Sequence, residues 1–404
     1  MLTEGRERAV LFTLAAVQFV NILDFMMVMP LGPDLAASLD IELSRLPLLA
    51  ASYTAAAGVG GFAGAFVLDR FDRRPALVLS LLGLALGTLG GALAPDLTTL
   101  ALSRVVAGFF GGPATSLALA IVSDVVPAER RGRALGTVMM AFSLASIFGV
   151  PAGLELARLG GWHVPFFVVG GMGLAAAGGA WWSLPPLGGH VEAAQRSSIR
   201  STFEVALETR SLTAFLMSSA SNIGLFIVIP NVAAFVQGNL LFPRDRMSTL
   251  YLAGGAASIL TTRLFGRLVD RFGSFPVGLA GTLLGNAVTY SLFVLGTAES
   301  PIYLFFVLFM LSGGLRNVAN QTLLSKVPRP EARARFMAME STVRHVALAL
   351  GSSLSSLLLS TEGDRLVGMH DAALVSIAIV SVVPVVVFAL ERQLRPAPAT
   401  AIGP

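Results

Sequence analysis

Long apolar stretches recur along almost the whole chain, and they constrain its fold more than any other feature. Of the 404 residues, 54% are hydrophobic and 13% are charged, whereas soluble domains carry about 25% charged residues. A bilayer has a hydrocarbon core about 30 Å thick, so a helix needs about 20 mostly apolar residues to cross it. Such stretches recur between Ala9 and Leu390. The chain is therefore expected to be a polytopic α-helical membrane protein.

Breaks rich in charge, Gly or Pro divide these stretches into twelve predicted transmembrane helices. Those of the first half are expected at 9–33, 46–68, 76–94, 98–122, 134–157 and 164–183. Those of the second half are expected at 212–236, 248–268, 276–297, 301–324, 335–359 and 372–390. The predicted fold class is all-α, and its domains are a six-helix bundle at 1–183, a linker at 184–210, a second six-helix bundle at 211–395 and a tail at 396–404.

The two halves repeat one another in sequence. Asn21 in the first half corresponds to Asn222 in the second. The triplet Asp69-Arg70-Phe71 returns as Asp270-Arg271-Phe272. Two related six-helix halves are typical of transporters that bind substrate between the repeats and alternate access by rocking. The duplication therefore indicates transport before any motif is considered.

The charge distribution predicts how the chain is oriented. All but one of the 28 basic residues are Arg, and most lie in short loops on the side that holds both termini. Cytoplasmic loops carry such an excess of positive charge. We therefore expect a multi-pass protein of the plasma membrane, which in a bacterium is the cytoplasmic or inner membrane, with both termini in the cytoplasm. The basic residues are not expected to bind nucleic acid.

Several classes of function are excluded by what the sequence does not contain. It has no Cys, and its four His are scattered without ligand spacing, so no metal site is expected. It has no H-E-x-x-H, no G-x-S-x-G and no nucleotide-binding P-loop. We therefore expect neither an enzyme nor a cofactor, and transport driven by gradients rather than by ATP.

A charged motif follows the second predicted helix. Residues 65–77 read AFVLDRFDRRPAL, which resembles the loop signature G-x-L-a-D-R-x-G-R-[RK]-x-x-L of the major facilitator superfamily, with Ala65 and Asp72 in place of its two Gly. A second copy at 266–273 keeps both Gly but lacks the trailing basic pair. The resemblance implies a cytoplasmic gate formed by Asp69, Arg70, Arg73, Asp124, Asp270 and Arg271. The alternative is that these charges only anchor the orientation.

The fourth predicted helix contains a buried base. Arg104 begins a sequence, R-V-V-A-G, that resembles the R-x-x-x-G motif of the same family, where the Arg is linked to proton coupling. A guanidinium inside a spanning helix costs about 2.5–3.5 kcal/mol on insertion scales, so it must be paired or face water. Structural anchoring of Arg104 to a neighbouring helix is the alternative reading.

The first predicted helix offers a partner for this base. Gln18, Asn21 and Asp24 recur at every third position and so share a stripe. Because the first and fourth helices run in opposite directions, Asp24 and Arg104 are expected at similar depths. We predict a direct or water-bridged pair that exchanges one proton as the cavity changes sides. A static buried salt bridge is the alternative.

Further polar and small residues complete the predicted site. Substrate-cavity residues are expected to be Gln18, Asn21, Met27, Asn222, Asn317, Asn320, Glu340 and Arg344, although Glu340 and Arg344 could instead satisfy each other. Met27 could equally be a packing residue. Helix packing is expected at Gly108, Gly112, Gly149, Pro151 and Gly153, where the segment 149–153 looks like a shortened form of the family's antiporter motif. Ordinary Gly and Pro enrichment in membrane helices is the alternative.

The resemblance covers essentially the whole chain and is nearest to the twelve-helix drug/proton antiporter branch. It implies proton-coupled efflux of small amphipathic organic compounds by rocker-switch alternating access. The expected partners are a small-molecule substrate, protons and the lipid bilayer, and the expected state is a monomer. The alternative is an uptake symporter or facilitator of a polar metabolite, or a lysolipid transporter.

Overall fold

The computed structural model describes residues 4–67, 71–187, 204–329 and 332–394. The helices of the first half are α1 (Glu4–Met27), α2 (Gly32–Leu39), α3 (Pro47–Val67), α4 (Arg73–Ala92), α5 (Leu97–Val125), α6 (Ala128–Leu144), α7 (Val150–Gly160) and α8 (His163–Ser183). Those of the second half are α9 (Thr209–Val228), α10 (Val232–Ala234), α11 (Met247–Phe272), α12 (Ser274–Phe293), α13 (Ile302–Leu324), α14 (Arg333–Leu358), α15 (Met369–Ser381) and α16 (Val383–Leu394). One antiparallel hairpin, β1 (Ser360–Glu362) and β2 (Arg365–Val367), lies between α14 and α15, with Thr361 opposite Leu366.

The length and composition of these helices fit a polytopic membrane protein. Within the described ranges, nine helical segments are long and apolar enough to cross a bilayer. Helices α11, α12 and α14 have 26, 20 and 26 residues, long enough to cross, but they carry more polar side chains. The all-α membrane fold is thus confirmed, while the number of twelve spans stays a prediction.

Several element boundaries differ from the sequence-based expectation, mostly near prolines. The first helix ends at Met27 instead of continuing to 33, because Pro30 interrupts it. The fifth predicted span contains a π-helical turn, Ala145–Gly149, directly before Pro151, which lacks the N–H of a regular turn. The last span is two helices, α15 and α16. The hairpin was not predicted, because its segment carries no clear strand pattern.

Several predicted features lie outside the described residues. These are most of the predicted linker, namely 188–203, the predicted tail at 396–404, and the gate residues Asp69 and Arg70.

Side-chain contacts place the loops on two opposite sides of the bundle. On the side that holds the N-terminus, Arg130 pairs with Glu7 at 2.9 Å, and the Leu187 amide donates to Asp72. We call this the terminal side. On the other side, which we call the distal side, Ser44 contacts Thr361 of the hairpin. This arrangement agrees with helices that cross the bundle in alternating directions.

The two halves touch one another on the distal side. Arg244, before α11, donates through Nε and Nη2 to both carboxylate oxygens of Asp34, at 2.9 and 2.6 Å. Ser248 Oγ donates to Glu155 at 2.6 Å, and the Ser44 amide donates to Thr361 Oγ1 at 3.0 Å. Each of these contacts joins a residue before 184 to one after 208. The distal side is therefore closed.

Glycines let α5 lie directly on α3. A Cβ built on Gly108 would meet the backbone carbonyl of Tyr53, and one built on Gly112 would meet that of Ala57. Small residues allow such close approach in membrane helices, where packing rather than the hydrophobic effect holds helices together. This contact fixes α5, and with it the depth of Arg104.

Replacement of Gly112 by Val is expected to destabilise the fold. The added side chain meets the backbone of Ala57 and of Gly61, and overpacking of this kind costs about 1–3 kcal/mol. The thermal unfolding midpoint in detergent measures the loss. Gly136→Val is the matched control, because a Cβ at Gly136 meets nothing within 4 Å in the described structure. Equal midpoints for the two variants would contradict this account of the packing.

Candidate functional site

An acid and a base lie paired in the interior of the first half. Arg104 Nη1, from α5, donates to Asp24 Oδ1 and Oδ2 of α1 at 3.0 and 3.1 Å. The side chains of Asp24 and Arg104 are 0% and 1% exposed. The two helices were expected to bring these groups to the same depth, and the structure places them in direct contact.

A hydroxyl and two aromatic rings complete the surroundings of this pair. Thr88 of α4 donates from Oγ1 to Asp24 Oδ1 at 2.6 Å, and Arg104 Nη2 lies 3.4 Å from the same hydroxyl. The Arg104 Cζ lies 5.3 Å from the Phe166 ring centroid and 5.8 Å from that of Tyr53. Arg104 Nε has no hydrogen-bond partner within the described residues. Protein atoms enclose the site almost completely, so a change in the charge of Asp24 would strongly alter the electrostatic energy of its neighbours.

A second polar cluster lies one turn away on α1. Asn21 donates to the Gly111 carbonyl at 2.9 Å and to Thr115 Oγ1 at 2.5 Å, and it accepts from Tyr53 Oη at 3.1 Å. Asn21 therefore joins α1 to both α3 and α5. Gln18 lies a further turn away, only 2% exposed, and its Oε1 has no partner among the residues that the structure describes.

Phe25 links this region to the second half. Its ring lies 5.2 Å from the ring of Tyr53 and stacks at 6.0 Å, with an interplanar angle of 11°, on Phe226 of α9. Phe25 directly follows Asp24 in the chain. The candidate proton site therefore lies one residue from an aromatic contact between the halves.

A cavity opens between the halves toward the terminal side. It has a volume of about 110 Å³ and reaches from α3 and α5 to α14. Among the residues that line it are Ala57, Gly61, Arg73, Pro113, Ser341 and His345. Together with the distal contacts, this cavity indicates a conformation that is closed on the distal side.

Helix α13 directs its polar residues to different neighbours. Arg316 lies against α12, Asn320 donates to Ser221 of α9 at 3.4 Å, and Gly314 approaches α11. At about 100° per residue, the exposed Asn317 points between α9 and α11, away from α12. Asn317 therefore lies near the middle of the face of α13 between α9 and α11, and Asn320 lies at the edge of that face next to α9.

The remaining polar residues predicted for the cavity lie on α9 and α14. Glu340 is buried and accepts from Ser218 Oγ at 2.9 Å. Asn222, half-buried, donates to the Ser218 carbonyl at 2.8 Å. Arg344 is half-buried, and no hydrogen bond or ion pair joins it to any described residue. Of the two readings for Glu340 and Arg344, mutual satisfaction is thus not what the structure contains.

Two residues predicted for function have other surroundings. Met27 is 1% exposed and, seven positions after Val20, shares the face of α1 that packs on α8 at Gly173. It therefore belongs to the apolar core and not to the cavity. Gly153 is buried, but a Cβ built on it meets no described atom within 4 Å, so it mediates no close helix contact.

The rest of the predicted packing segment does approach another helix. A Cβ on Gly149 would lie 2.8 Å from Leu23 Cδ1 of α1. Pro151 is buried in the first turn of α7, directly after the π-helical turn. Gly149 and Pro151 thus shape the place where the fifth span bends around α1.

The predicted gate residues within the described ranges fall into two groups. Arg73 Nη1 donates to Asp124 Oδ2 at 2.6 Å, which ties the start of α4 to the end of α5 on the terminal side. Asp270 and Arg271, at the end of α11, are both exposed. The Arg271 Cζ lies 5.2 Å from the ring of Phe272.

The contacts that close the distal side were missed by the sequence analysis. Asp34, in the first turn of α2, and Arg244, just before α11, are 210 positions apart, and neither belongs to a recognisable motif. Thr88 was missed as well, since a lone Thr in an apolar helix normally donates to its own backbone, and the Leu84 carbonyl does lie 2.9 Å from the Thr88 hydroxyl as a competing acceptor. The only sequence signal for Arg244 was its place among the few basic residues of the distal loops.

Comparisons with known proteins place this arrangement in a family. The model of the Major Facilitator Superfamily matches residues 14–352 and also 214–403. Inner membrane transport protein YdhP of Escherichia coli (strain K12) is 26% identical over 258 residues, which are 63% of this chain and 64% of that protein. The chain thus spans just under two thirds of that relative.

Other relatives match over more of their length. Chloramphenicol resistance protein of Streptomyces lividans is 26% identical over 331 residues, 82% of this chain and 83% of that protein. A probable sugar efflux transporter of Helicobacter pylori (strain ATCC 700392 / 26695) is 23% identical, with 91% and 92% covered.

Solved transporter structures have the same fold. A bacterial homologue of the human lysosomal transporter Spinster, in an inward-facing and occupied conformation, superposes with a TM-score of 0.80 at 16% identity, covering 98% of this chain and 100% of that one. The xylose transporter XylE of E. coli, in a partially occluded inward-open conformation, gives 0.72 at 16% identity, with 97% and 98% covered. With the family model matching most of its length, this multi-pass membrane protein belongs to the major facilitator superfamily.

Proposed function

We propose that this protein exports small amphipathic organic compounds in exchange for protons, by alternating access between its two halves. The observation that carries the proposal is the buried Asp24–Arg104 pair, which lies one residue from the contact between Phe25 and Phe226. A change in the charge of an acid at this position can alter how the two halves pack against one another.

The proposed exchange uses the charge balance of this pair. With Asp24 ionised, the pair is neutral, and Thr88 supports it by donating to the carboxylate. With Asp24 protonated, Arg104 is left with an uncompensated charge in an enclosed site, which is unfavourable. The two protonation states therefore favour different arrangements of the helices that surround the pair, and this preference can drive alternation.

Export is favoured over uptake by two relatives, one a chloramphenicol resistance protein and the other a probable sugar efflux transporter. In our proposal the terminal side is cytoplasmic, so the cavity at Arg73 and Ser341 loads substrate from the cell. Arg73, Asp124, Asp270 and Arg271 form the gate on that side, together with Asp69 and Arg70. The protein lies in the cytoplasmic membrane as two six-helix bundles with both termini inside, and it works as a monomer.

The experiment that tests export is growth of an efflux-deficient bacterium on a panel of lipophilic cations, organic acids, dyes and antibiotics. Cells expressing the protein should tolerate at least one compound better than cells with an empty vector. A protonophore should raise the cellular content of that compound to the level of the vector control. Greater sensitivity, or no protection at good membrane expression, would contradict proton-coupled export.

A further inference from the structure

Arg316 is a buried base with no partner among the described residues. It is 6% exposed, and no hydrogen bond or ion pair joins it to another residue in the part of the chain that the structure describes. Its Nε is fully buried and unsatisfied. The side chain runs along the glycines of α12, with Cζ 3.8 Å from a Cβ built on Gly285. An unpaired charge in such a place is costly and marks a functional site in membrane helices.

The depth of Arg316 can be read from its neighbours. Asn320, one turn nearer the terminal side on α13, donates to Ser221 of α9. The two helices are antiparallel, so one turn further along each brings Arg316 level with Leu225. In the repeat, Leu225 occupies the place that Asp24 holds in the first half. Among its described residues, the second half therefore has a buried base at this depth but no acid paired with it.

The buried acid of the second half, Glu340, is already engaged. It accepts from Ser218, at 2.9 Å, and forms no ion pair with a described base. Arg344, one turn further along α14, likewise has no ion-pair partner among the described residues. It lies two turns on the terminal side of Gly351, which packs on Ile223. A negatively charged compound entering from the terminal side would thus meet Arg344 before it reached Arg316.

The interior of the second half therefore carries more positive than negative charge within the described residues. The buried charged residues of the described chain are Asp24, Arg104, Arg316 and Glu340, and half-buried Arg344 adds another positive charge. Only Asp24 and Arg104 form an ion pair among them. The second half is left with two guanidinium groups beside one carboxylate, a surplus that a bound anion would remove.

We propose that Arg316 binds an anionic group of the transported compound, so that the substrates include amphipathic organic anions such as carboxylates and sulfonates. This inference rests on the proposed transport function and names the chemistry of its substrate. A guanidinium forms two parallel hydrogen bonds with a carboxylate, which gives orientation as well as affinity. The apolar body of the compound would lie toward Phe25 and Phe226, which are level with the binding group.

The test compares acids with their neutral amides on the purified, full-length protein. The probes are 4-phenylbutyrate, octanoate and indole-3-acetate, each matched with its amide, and the readout is the thermal unfolding midpoint as a function of probe concentration. We expect at least one acid to bind more tightly than its amide, by about tenfold or more, the usual size of a charged hydrogen bond. This comparison needs no variant.

Two variants test whether the preference for the acid over its amide depends on Arg316. Arg316→Gln should abolish the preference for the acid, because it weakens binding of the acid far more than binding of the amide. Arg365→Gln, which removes an equal charge from the exposed hairpin, should behave like the native protein. Without a ligand, Arg316→Gln should also unfold at a higher temperature than the native protein, because a buried unpaired charge has been removed.

Two results would overturn the inference. One is that none of the acids binds better than its amide, and the other is that Arg316→Gln keeps the native preference for the acid. Either result leaves the proposed export unaffected, provided that the growth assay shows protection. Conversely, a preference for acids that depends on Arg316, in a protein that confers no protection, would overturn the proposed export and keep the binding site.

Discussion

Asn in place of Asp24 is expected to abolish proton-driven accumulation of substrate while leaving substrate binding and exchange in place. Asn keeps the shape of Asp24 and can still accept a hydrogen bond from Arg104, which lies 3.0 Å from Oδ1, but it cannot gain or lose a proton. For one-to-one exchange, each pH unit drives about a tenfold accumulation, and Asp24→Asn should reduce this ratio to one. Proteoliposomes with an imposed pH gradient measure it.

Two further variants control this experiment. Arg104→Ala should impair both accumulation and exchange, since it leaves Asp24 buried without its partner, at a cost of about 3–5 kcal/mol. Asp96→Asn should accumulate substrate normally. Asp96 caps α5 outside the bundle, and hydrogen bonds from the Thr99 hydroxyl and amide hold the pKa of its carboxyl below the usual range. Gradient-driven accumulation by Asp24→Asn at the native level would remove Asp24 from the coupling mechanism.

A disulfide between cysteines at positions 44 and 361 is expected to stop transport reversibly. The Ser44 amide donates to Thr361 Oγ1 at 3.0 Å across the distal side, which is compatible with the Cα separation of about 4.4–6.8 Å that a disulfide needs. Because the chain contains no Cys, the double variant Ser44→Cys with Thr361→Cys has one possible intramolecular bond. Oxidation should hold the distal side closed, and reduction should restore the native rate.

A second cysteine pair separates this effect from oxidation itself. Thr13 and Ser183 hydroxyls lie 2.9 Å apart, and both residues belong to the first half. A disulfide between cysteines there should form but leave transport unchanged, because the two halves still move relative to one another. Transport that continues in the fully oxidised 44–361 variant would show that the distal contact does not open during the cycle.

Much of the fold was accessible from the sequence because the bilayer restricts the possible solutions. Apolar stretches of spanning length have to be helices in a hydrocarbon solvent, and their alternating directions brought Asp24 and Arg104 to one depth. Both deductions use only distance along a helix. They needed no knowledge of how the two halves rest on one another.

Features that depend on the arrangement of the halves could not be found in this way. The pair of Asp34 and Arg244 joins segments from different halves, and its formation depends on which side of the protein is closed. The partner of Glu340 was equally hidden, because Ser218 is one of many Ser in apolar helices. Met27 was expected in the cavity, because the sequence does not show which helix packs against that face of α1, which in the structure is α8.

The stacked rings of Phe25 and Phe226 have a consequence for the energetics of the conformational change. Phe226 lies near the middle of the span Thr209–Asn239, between the open cavity and the closed distal side. Contact between aromatic faces has little directional preference compared with a hydrogen bond, so the rings can slide while the halves rotate. The polar contacts of Arg244 and Ser44 have no such freedom and must break. The activation barrier should therefore arise mainly from breaking the polar contacts of the distal surface. The aromatic pair should stay in contact while the two halves rotate.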